Sequence, residues 1–273
     1  MSAILIVESN PPEFLSQGLL ASTGFVNSML GFSQELQLRI VSPYNHKVTP
    51  GLFADVAGVI FTGSYSASPT DAPEVAPLRQ AMQVAFEAGV PVWGSCNGLQ
   101  LATVVLGGEI DESPNGIEIG LARNLELTRE GQQHPMMAGR SSGFAVPCIH
   151  RDEVSKAPEH AIVLAGNQHS AVQAMAYRQN GIDFWGTQYH PELSSRDIAQ
   201  AIRSDGLFKG QSQAADDLDL AETDELAARR VGTTTRDQQP QSRARELFNW
   251  LAYVESLNQE GGQQGEDRAI YLA

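Results

Sequence analysis

The sequence predicts an α/β fold, in which strands and crossover helices build a mainly parallel sheet. Short apolar runs alternate with amphipathic stretches through roughly the first two hundred residues, which is the pattern of such a sheet. With 273 residues and 42% hydrophobic side chains, the chain can bury a substantial core. The predicted strands cover residues 4–7, 36–41, 58–62, 91–94, 119–127, 162–166, 173–177 and 184–190.

Two predicted helices follow strands of this sheet. Residues 75–88 and 97–106 both carry apolar side chains at helical spacing, so that one face of each helix is apolar. A helix between two strands is the usual connection in a parallel sheet. We therefore predict that these two segments are crossover helices.

The composition changes near Asp205, where Gln, Asp, Ala and Thr become frequent. This change predicts a main domain over residues 1–204 and an acidic, partly helical extension over residues 205–273. Residues 243–257 place four apolar side chains on one helical face, which predicts a helix that docks on the main domain or on a partner. These side chains are Leu247, Trp250, Leu251 and Val254.

Charge and composition exclude several classes of function. The net charge is -14, and the 18 basic residues provide no cluster that would bind a nucleic acid backbone. No apolar run approaches the roughly 20 residues that span a bilayer, so we expect no membrane insertion. The first residues read as a strand and not as an export signal, and there are two cysteines, so we expect a cytoplasmic protein without disulfides.

Cys96 is the candidate nucleophile. It lies in Gly94-Ser95-Cys96-Asn97-Gly98-Leu99-Gln100, between a predicted strand and a predicted helix. A cysteine at such a turn projects from the carboxyl end of the sheet, and the positive end of the helix dipole favours its thiolate. The flanking glycines relieve crowding in the turn. The alternative is that Cys96 is a small buried apolar residue, as many free cysteines are.

His190 and Glu192 are the candidate base and its orienting acid. They follow a predicted strand in Gly186-Thr187-Gln188-Tyr189-His190-Pro191-Glu192. Residues two apart on an extended chain point to the same side, so the carboxylate can reach one imidazole nitrogen while the other takes a thiol proton. The alternative is a structural histidine at the end of a strand.

These two strings resemble the two signatures of class I glutamine amidotransferases, and the glutaminase domain of GMP synthetase in particular. The resemblance covers about residues 1–204. It implies a three-layer, flavodoxin-like α/β/α sandwich around a mainly parallel sheet, here with a C-terminal helical appendage. It also implies a catalytic triad of Cys96, His190 and Glu192.

The same resemblance implies an oxyanion hole formed by the backbone N–H groups of Ser64 and Asn97. The loop that holds Ser64 follows the predicted strand 58–62, and its Gly63 is expected to line the substrate site. The family loop usually reads Gly-Gly-Pro or Asn-Gly-Pro. Ser64 and Tyr65 replace the second glycine and the proline here, and the Cβ of Ser64 raises the question of whether the loop keeps its geometry.

Further substrate-binding residues are expected at Gln100 and in the segment that contains His150, Arg151 and Asp152. Gln100 matches a family glutamine that contacts the α-substituents of the substrate, and its alternative is a solvated polar face. The segment resembles Ser-His-Gly-Asp-Lys-Val of GMP synthetase, whose backbone helps to hold the glutamine, although Arg151 replaces the glycine. The alternative for this segment is a plain surface loop.

The resemblance therefore implies hydrolysis of L-glutamine to glutamate and ammonia through a γ-glutamyl thioester at Cys96. Ammonia would pass to a separate synthase subunit. No metal-ligand spacing and no nucleotide-binding string is present, so we expect no metal and no cofactor. Two alternatives remain open, a γ-glutamyl hydrolase that acts alone and a non-catalytic binding module. The oligomeric state stays undetermined.

Overall fold

The computed structural model describes residues 3–33, 35–204 and 211–270, with side chains up to Gln259. A nine-stranded sheet runs through the molecule in the order β2-β1-β3-β4-β11-β10-β9-β6-β7, and a separate two-stranded sheet pairs β5 with β8. The strands are β1 Ala3–Val7, β2 Leu38–Val41, β3 Val56–Phe61, β4 Val92–Ser95, β5 Glu109–Glu112, β6 Glu118–Leu127, β7 Phe144–His150, β8 Asp152–Lys156, β9 Ile162–Gly166, β10 Ala174–Gln179 and β11 Ile182–Thr187.

The sheet has a parallel half and an antiparallel half. Strands β2, β1, β3, β4 and β11 pair in parallel, in agreement with the predicted parallel core. Strands β10, β9, β6 and β7 then continue the sheet in antiparallel pairs. The parallel strands all end at the same edge, and that edge is where ligands bind in open α/β sheets.

The helices form two layers around the sheet, which confirms the predicted α/β class. They are α1 Pro12–Leu15, α2 Ser22–Phe32, α3 Ala76–Glu87, α4 Asn97–Val105, α5 Ser195–Ser204, α6 Ser212–Leu220, α7 Glu225–Arg230, α8 Thr235–Gln238, α9 Pro240–Arg243 and α10 Arg245–Ile270. Helices α3 and α4 share one apolar core with one face of the parallel strands, and α2 and α10 share another with the opposite face. A third cluster joins α5 and α6 to β6 and β7.

Helix α10 is part of the main core, as predicted for residues 243–257. Trp250 is fully buried and its ring lies 6.2 Å from that of Trp93 on β4. A Cβ at Gly58 of β3 would lie 2.9 Å from the Trp250 ring, so the helix touches the backbone of the sheet. Leu247, Leu251 and Val254 are buried in the same cluster. The predicted boundary between residues 204 and 205 adjoins residues 205–210, which lie outside the described residues.

Three of the described strands were not predicted from the sequence. Strand β7 contains Pro147, which normally argues against a strand, but β7 lies at the edge of the sheet where a missing N–H is tolerated. Strands β5 and β8 are short and mostly polar, so they lack an apolar signal.

Among the described helices, none combines the length and the apolar composition that a membrane-spanning helix needs.

Candidate functional site

Cys96 stands in a strained turn between β4 and α4. Its backbone has φ 50° and ψ -104°, a region that residues with a side chain rarely adopt. The turn is tight because glycines surround it. A Cβ at Gly94 would lie 2.6 Å from the backbone of Gly98, and a Cβ at Gly98 would lie 2.4 Å from the carbonyl oxygen of Phe61. The close packing at Gly98 also brings the end of β3 against the start of α4.

The thiol of Cys96 faces a small set of polar groups. It lies 3.7 Å from the carbonyl oxygen of Ile149 and accepts a hydrogen bond of 3.6 Å from the side-chain amide of Gln188. The imidazole of His190 lies near the sulfur and interacts with it electrostatically. Cys96 is 8% exposed, so most of the residue is shielded from bulk water. Gln188 was not predicted as a site residue, although it lies within the motif that contains His190.

His190 and Glu192 form a buried hydrogen-bonded pair, with 2.7 Å between His190 Nδ1 and Glu192 Oε1. This pair was predicted to lie on an extended segment, but β11 ends at Thr187. Residues 190–193 form a turn, closed by a hydrogen bond of 3.2 Å from the N–H of Leu193 to the carbonyl of His190. The turn at Pro191 brings the two side chains together in place of the expected i, i+2 alternation.

The surroundings of His190 favour its protonated form. Burial by itself lowers the pKa of the imidazole, but the Glu192 carboxylate and the contact with Cys96 outweigh burial and raise that pKa well above its ordinary value. The His190 imidazole can therefore hold a proton while it is paired with the Glu192 carboxylate.

Two serines hold the second oxygen and the backbone of Glu192. Ser95 donates a hydrogen bond of 3.0 Å to Glu192 Oε2 and accepts one of 3.0 Å from the indole of Trp93. Ser28 on α2 donates a hydrogen bond of 2.9 Å to the carbonyl of Glu192. The carboxylate is therefore fixed in the orientation that the imidazole needs. Ser95 lies next to Cys96 in sequence, but neither serine was predicted as a site residue.

The predicted oxyanion loop lies directly against the imidazole. A Cβ at Gly63 would lie 2.8 Å from His190 Cε1, so a side chain at this position would displace the ring. Ser64 follows Gly63, and Asn97 follows Cys96 at the start of α4. The close approach of β3 to α4 thus brings both predicted oxyanion donors to the same edge of the sheet.

Gln100 is buried and not solvated, because its side-chain amide donates hydrogen bonds of 2.9 Å to the carbonyl of Asp152 and 3.3 Å to Gln188 Oε1. The segment that contains His150, Arg151 and Asp152 therefore lies beside α4 at the site. Arg151 forms a two-pronged ion pair with the carboxylate of Asp152, and its guanidinium also donates to the carbonyl of Ala67 at 3.1 Å. Arg151 thereby joins this segment to the predicted oxyanion loop.

The side chain of His150 is completely buried and points into a polar network behind the site. Its Nε2 lies 2.8 Å from Glu118 Oε2, and its Nδ1 lies 3.2 Å from the carbonyl of Asp152. Glu118 also accepts hydrogen bonds from Asn167 and Gln173. Burial raises the pKa of Glu118, but these hydrogen bonds and the His150 ring lower it by more. Within the described residues, no group of three His, Cys, Asp or Glu side chains could hold a metal ion.

Comparison with known proteins gives matches over most of the chain. The family model of class-I glutamine amidotransferases matches residues 33–209, which is more than half of the chain. A glutamine amidotransferase from Thermotoga maritima has a similar structure, with a TM-score of 0.64 at 17% identity over 93% of this chain and 97% of that chain. A glutamine amidotransferase from Methylobacillus flagellatus gives a TM-score of 0.61 at 20% identity over 94% of this chain and 93% of that chain.

Two curated relatives differ in what they are named for. A gamma-glutamyl-L-1-hydroxyisopropylamide hydrolase from a Pseudomonas species is 40% identical over 153 residues, which cover 54% of this chain and 50% of the relative. A glutamine-hydrolysing GMP synthase from Symbiobacterium thermophilum is 33% identical over 156 residues, which cover 57% of this chain and 28% of the synthase. The chain thus spans half or less of these relatives.

Proposed function

Because this chain belongs to the class I glutamine amidotransferase family, we propose that it hydrolyses L-glutamine to glutamate and ammonia, with Cys96 as nucleophile. His190 is the base and Glu192 orients it. The observation that carries the proposal is the contact of one imidazole with both the Cys96 thiol and the Glu192 carboxylate. We further propose that ammonia passes to a separate synthase subunit, as the similarity to a glutamine-hydrolysing synthase suggests.

The reaction proceeds in two steps. His190 takes the proton of Cys96, the sulfur attacks the amide carbon, and the N–H groups of Ser64 and Asn97 stabilise the resulting oxyanion. The C–N bond then breaks while His190 protonates the departing nitrogen, which leaves as ammonia. Water attacks the γ-glutamyl thioester with His190 as base, and the C–S bond breaks to release glutamate and restore the thiol. Gln100 and the segment of His150, Arg151 and Asp152, together with Gly63, form the walls that hold the glutamyl group.

A γ-glutamyl hydrolase that acts alone is the second candidate. It is favoured by the Pseudomonas relative, which is named for hydrolysis of a γ-glutamyl amide larger than glutamine. Both candidates use the same thioester, and they differ only in the amine that leaves and in whether a partner receives it.

A substrate panel distinguishes the two candidates. The purified chain is incubated with L-glutamine and with γ-glutamyl amides of small alkylamines and hydroxyalkylamines, and glutamate release is measured. We expect glutamine to be hydrolysed with the higher kcat/KM. A kcat/KM that is at least tenfold higher for a larger amide would replace the lead proposal by the second candidate. Faster glutamine hydrolysis on addition of a co-purifying synthase would support the transfer of ammonia.

The remaining alternative is a binding module without turnover. An electrophilic glutamine analogue should label Cys96 in a one-to-one ratio, because attack on it needs the same thiolate and the same glutamyl site. Excess L-glutamine should protect the thiol. Absence of both labelling and turnover would favour the non-catalytic module.

The pH profile tests the role of Glu192. Because the Glu192 carboxylate raises the pKa of His190, Glu192→Gln is expected to lower that pKa. Protonation of the departing nitrogen needs the proton on His190, and that proton is lost as the pH rises through the His190 pKa. The alkaline limb of the kcat/KM profile should therefore move to lower pH in Glu192→Gln. Glu87→Gln, which removes an exposed carboxylate on α3, is the control and should leave the limb in place.

A further inference from the structure

The loop that carries Ser64 is held from behind by the side chain of Asn10. Asn10 follows β1 and is completely buried. Its Oδ1 accepts a hydrogen bond of 2.8 Å from the N–H of Tyr65, and the hydroxyl of Ser64 lies 3.3 Å from the same oxygen. Its Nδ2 donates a hydrogen bond of 3.0 Å to the carbonyl of Leu19. One amide thus ties the Ser64-Tyr65 loop to the segment after β1.

These contacts constrain the loop on both sides of the Ser64–Tyr65 peptide. The N–H of Tyr65 is bound to Asn10, so this peptide plane cannot rotate without loss of a buried hydrogen bond. The hydroxyl of Ser64 also accepts a hydrogen bond of 3.1 Å from the N–H of Ser66. The Ser64 side chain therefore points toward Asn10, so the residue that carries the proposed donor N–H is held through its hydroxyl.

Asn10 is itself fixed before any substrate arrives. Its N–H donates a hydrogen bond of 3.0 Å to Glu8 Oε1. The other carboxylate oxygen of Glu8 accepts a hydrogen bond of 2.8 Å from the N–H of Ser22 at the start of α2. Glu8 is buried and stands at the positive end of that helix, where a carboxylate is stabilised. The support behind the loop is thus tied to the end of β1 and to the start of α2.

We propose that Asn10 is a positioning residue for the oxyanion hole: it holds the Ser64-Tyr65 loop in place, in a chain whose loop lacks the usual glycine and proline. This inference rests on the proposed function, since it assigns Asn10 to the same hydrolytic site. Asn10 acts only through the loop, because its amide is engaged by Tyr65, Ser64 and Leu19. A donor that is misplaced by about 1 Å can cost on the order of 10²-fold in rate.

The test compares two reactions of Cys96 that differ in their need for an oxyanion hole. Amide hydrolysis builds an oxyanion, whereas alkylation by iodoacetamide is a direct displacement that needs only the thiolate. Asn10→Ala is expected to lower kcat for the panel substrates by roughly 10- to 100-fold, with a smaller change in KM. The rate constant for alkylation of Cys96 should stay within twofold. Asn249→Ala is the control, because the Asn249 side chain also bonds the backbone, by donation to the carbonyls of Met136 and Ala138, but lies on α10.

A second comparison tests whether Asn10 acts through the N–H of Tyr65, and a thermal unfolding curve of each variant identifies any loss of kcat that comes from poor folding. Tyr65→Pro removes the N–H that donates a hydrogen bond to Asn10, and the proline ring restricts the loop by fixing φ at this position. In that background, the further change Asn10→Ala should lower kcat by less than threefold. The inference would be overturned if Asn10→Ala left kcat unchanged, or if it lowered kcat equally with and without Tyr65→Pro. In either case, turnover by the parent protein would still support the proposed function. Absence of turnover in the parent protein would overturn both.

Discussion

Cys96→Ala is expected to lower kcat/KM for L-glutamine by at least roughly 10⁴-fold, because no other group in the site can form the thioester. The fold should survive, since alanine removes only one sulfur atom from a site that is already 8% exposed. Glutamate release under saturating glutamine measures the activity, and a thermal unfolding curve checks the fold. Cys96→Ser should lose nearly as much activity, because a hydroxyl is far harder to deprotonate beside the same imidazole.

The second cysteine provides the control for this experiment. Cys148 is completely buried, and burial together with the nearby Glu118 carboxylate raises the pKa of its thiol well above the usual value. Cys148→Ala should therefore keep most of the activity, and the electrophilic glutamine analogue should still label Cys96 in that variant. Undiminished turnover in Cys96→Ala, or loss of turnover only in Cys148→Ala, would refute the assigned nucleophile.

Glu246→Ala is expected to destabilise the protein by about 3–5 kcal/mol, because it leaves a buried arginine without its counter-charge. Glu246 at the start of α10 is completely buried and forms an ion pair of 2.7 Å with Arg140, whose side chain is 5% exposed. It also accepts a hydrogen bond of 3.0 Å from the hydroxyl of the buried Tyr189. Burial lowers the pKa of Arg140, but the Glu246 carboxylate raises that pKa by more, so the guanidinium stays charged. The melting temperature should fall by roughly 10 °C.

Two further variants show whether the missing charge is the cause. The double variant Arg140→Met and Glu246→Gln removes both charges and keeps an acceptor for Tyr189, so it should lose less stability than Glu246→Ala. Asp55→Ala breaks the exposed ion pair of 2.7 Å with Arg39 and should hardly change the melting temperature. A melting temperature of Glu246→Ala equal to that of the parent protein would show that α10 is not anchored through this pair.

The parallel core of the fold could be predicted from the sequence because each of its strands is a short apolar run. The predicted strand at residues 162–166 coincides with β9, and the other predicted strands differ from the observed ones by a few residues at their ends. The antiparallel half was predicted less completely, since β5 and β8 are polar and β7 contains Pro147. A strand that is stabilised mainly by pairing with its neighbour shows little hydrophobic periodicity in its sequence.

The candidate triad could be predicted because its residues lie in two compact motifs. The supporting groups Asn10 and Glu246 could not be predicted, because their contacts join segments that are distant in the chain. Asn10 meets Tyr65 across 55 residues, and Tyr189 meets Glu246 across 57. The turn that pairs His190 with Glu192 was also missed, because the strand was predicted to run on to His190. The proposed roles of the oxyanion and substrate-binding residues remain predictions that the experiments above address.

The backbone of Cys96 also has a consequence for how the protein can be engineered. A residue with a side chain at φ 50° and ψ -104° costs on the order of 1–3 kcal/mol, and glycine would relieve most of that strain. A library of variants that is selected only for thermal stability would therefore be enriched in glycine at position 96, and such variants would lack the nucleophile. Thermostable variants of this chain are best sought with position 96 held fixed, since this strained residue is the one to which the chemistry is assigned.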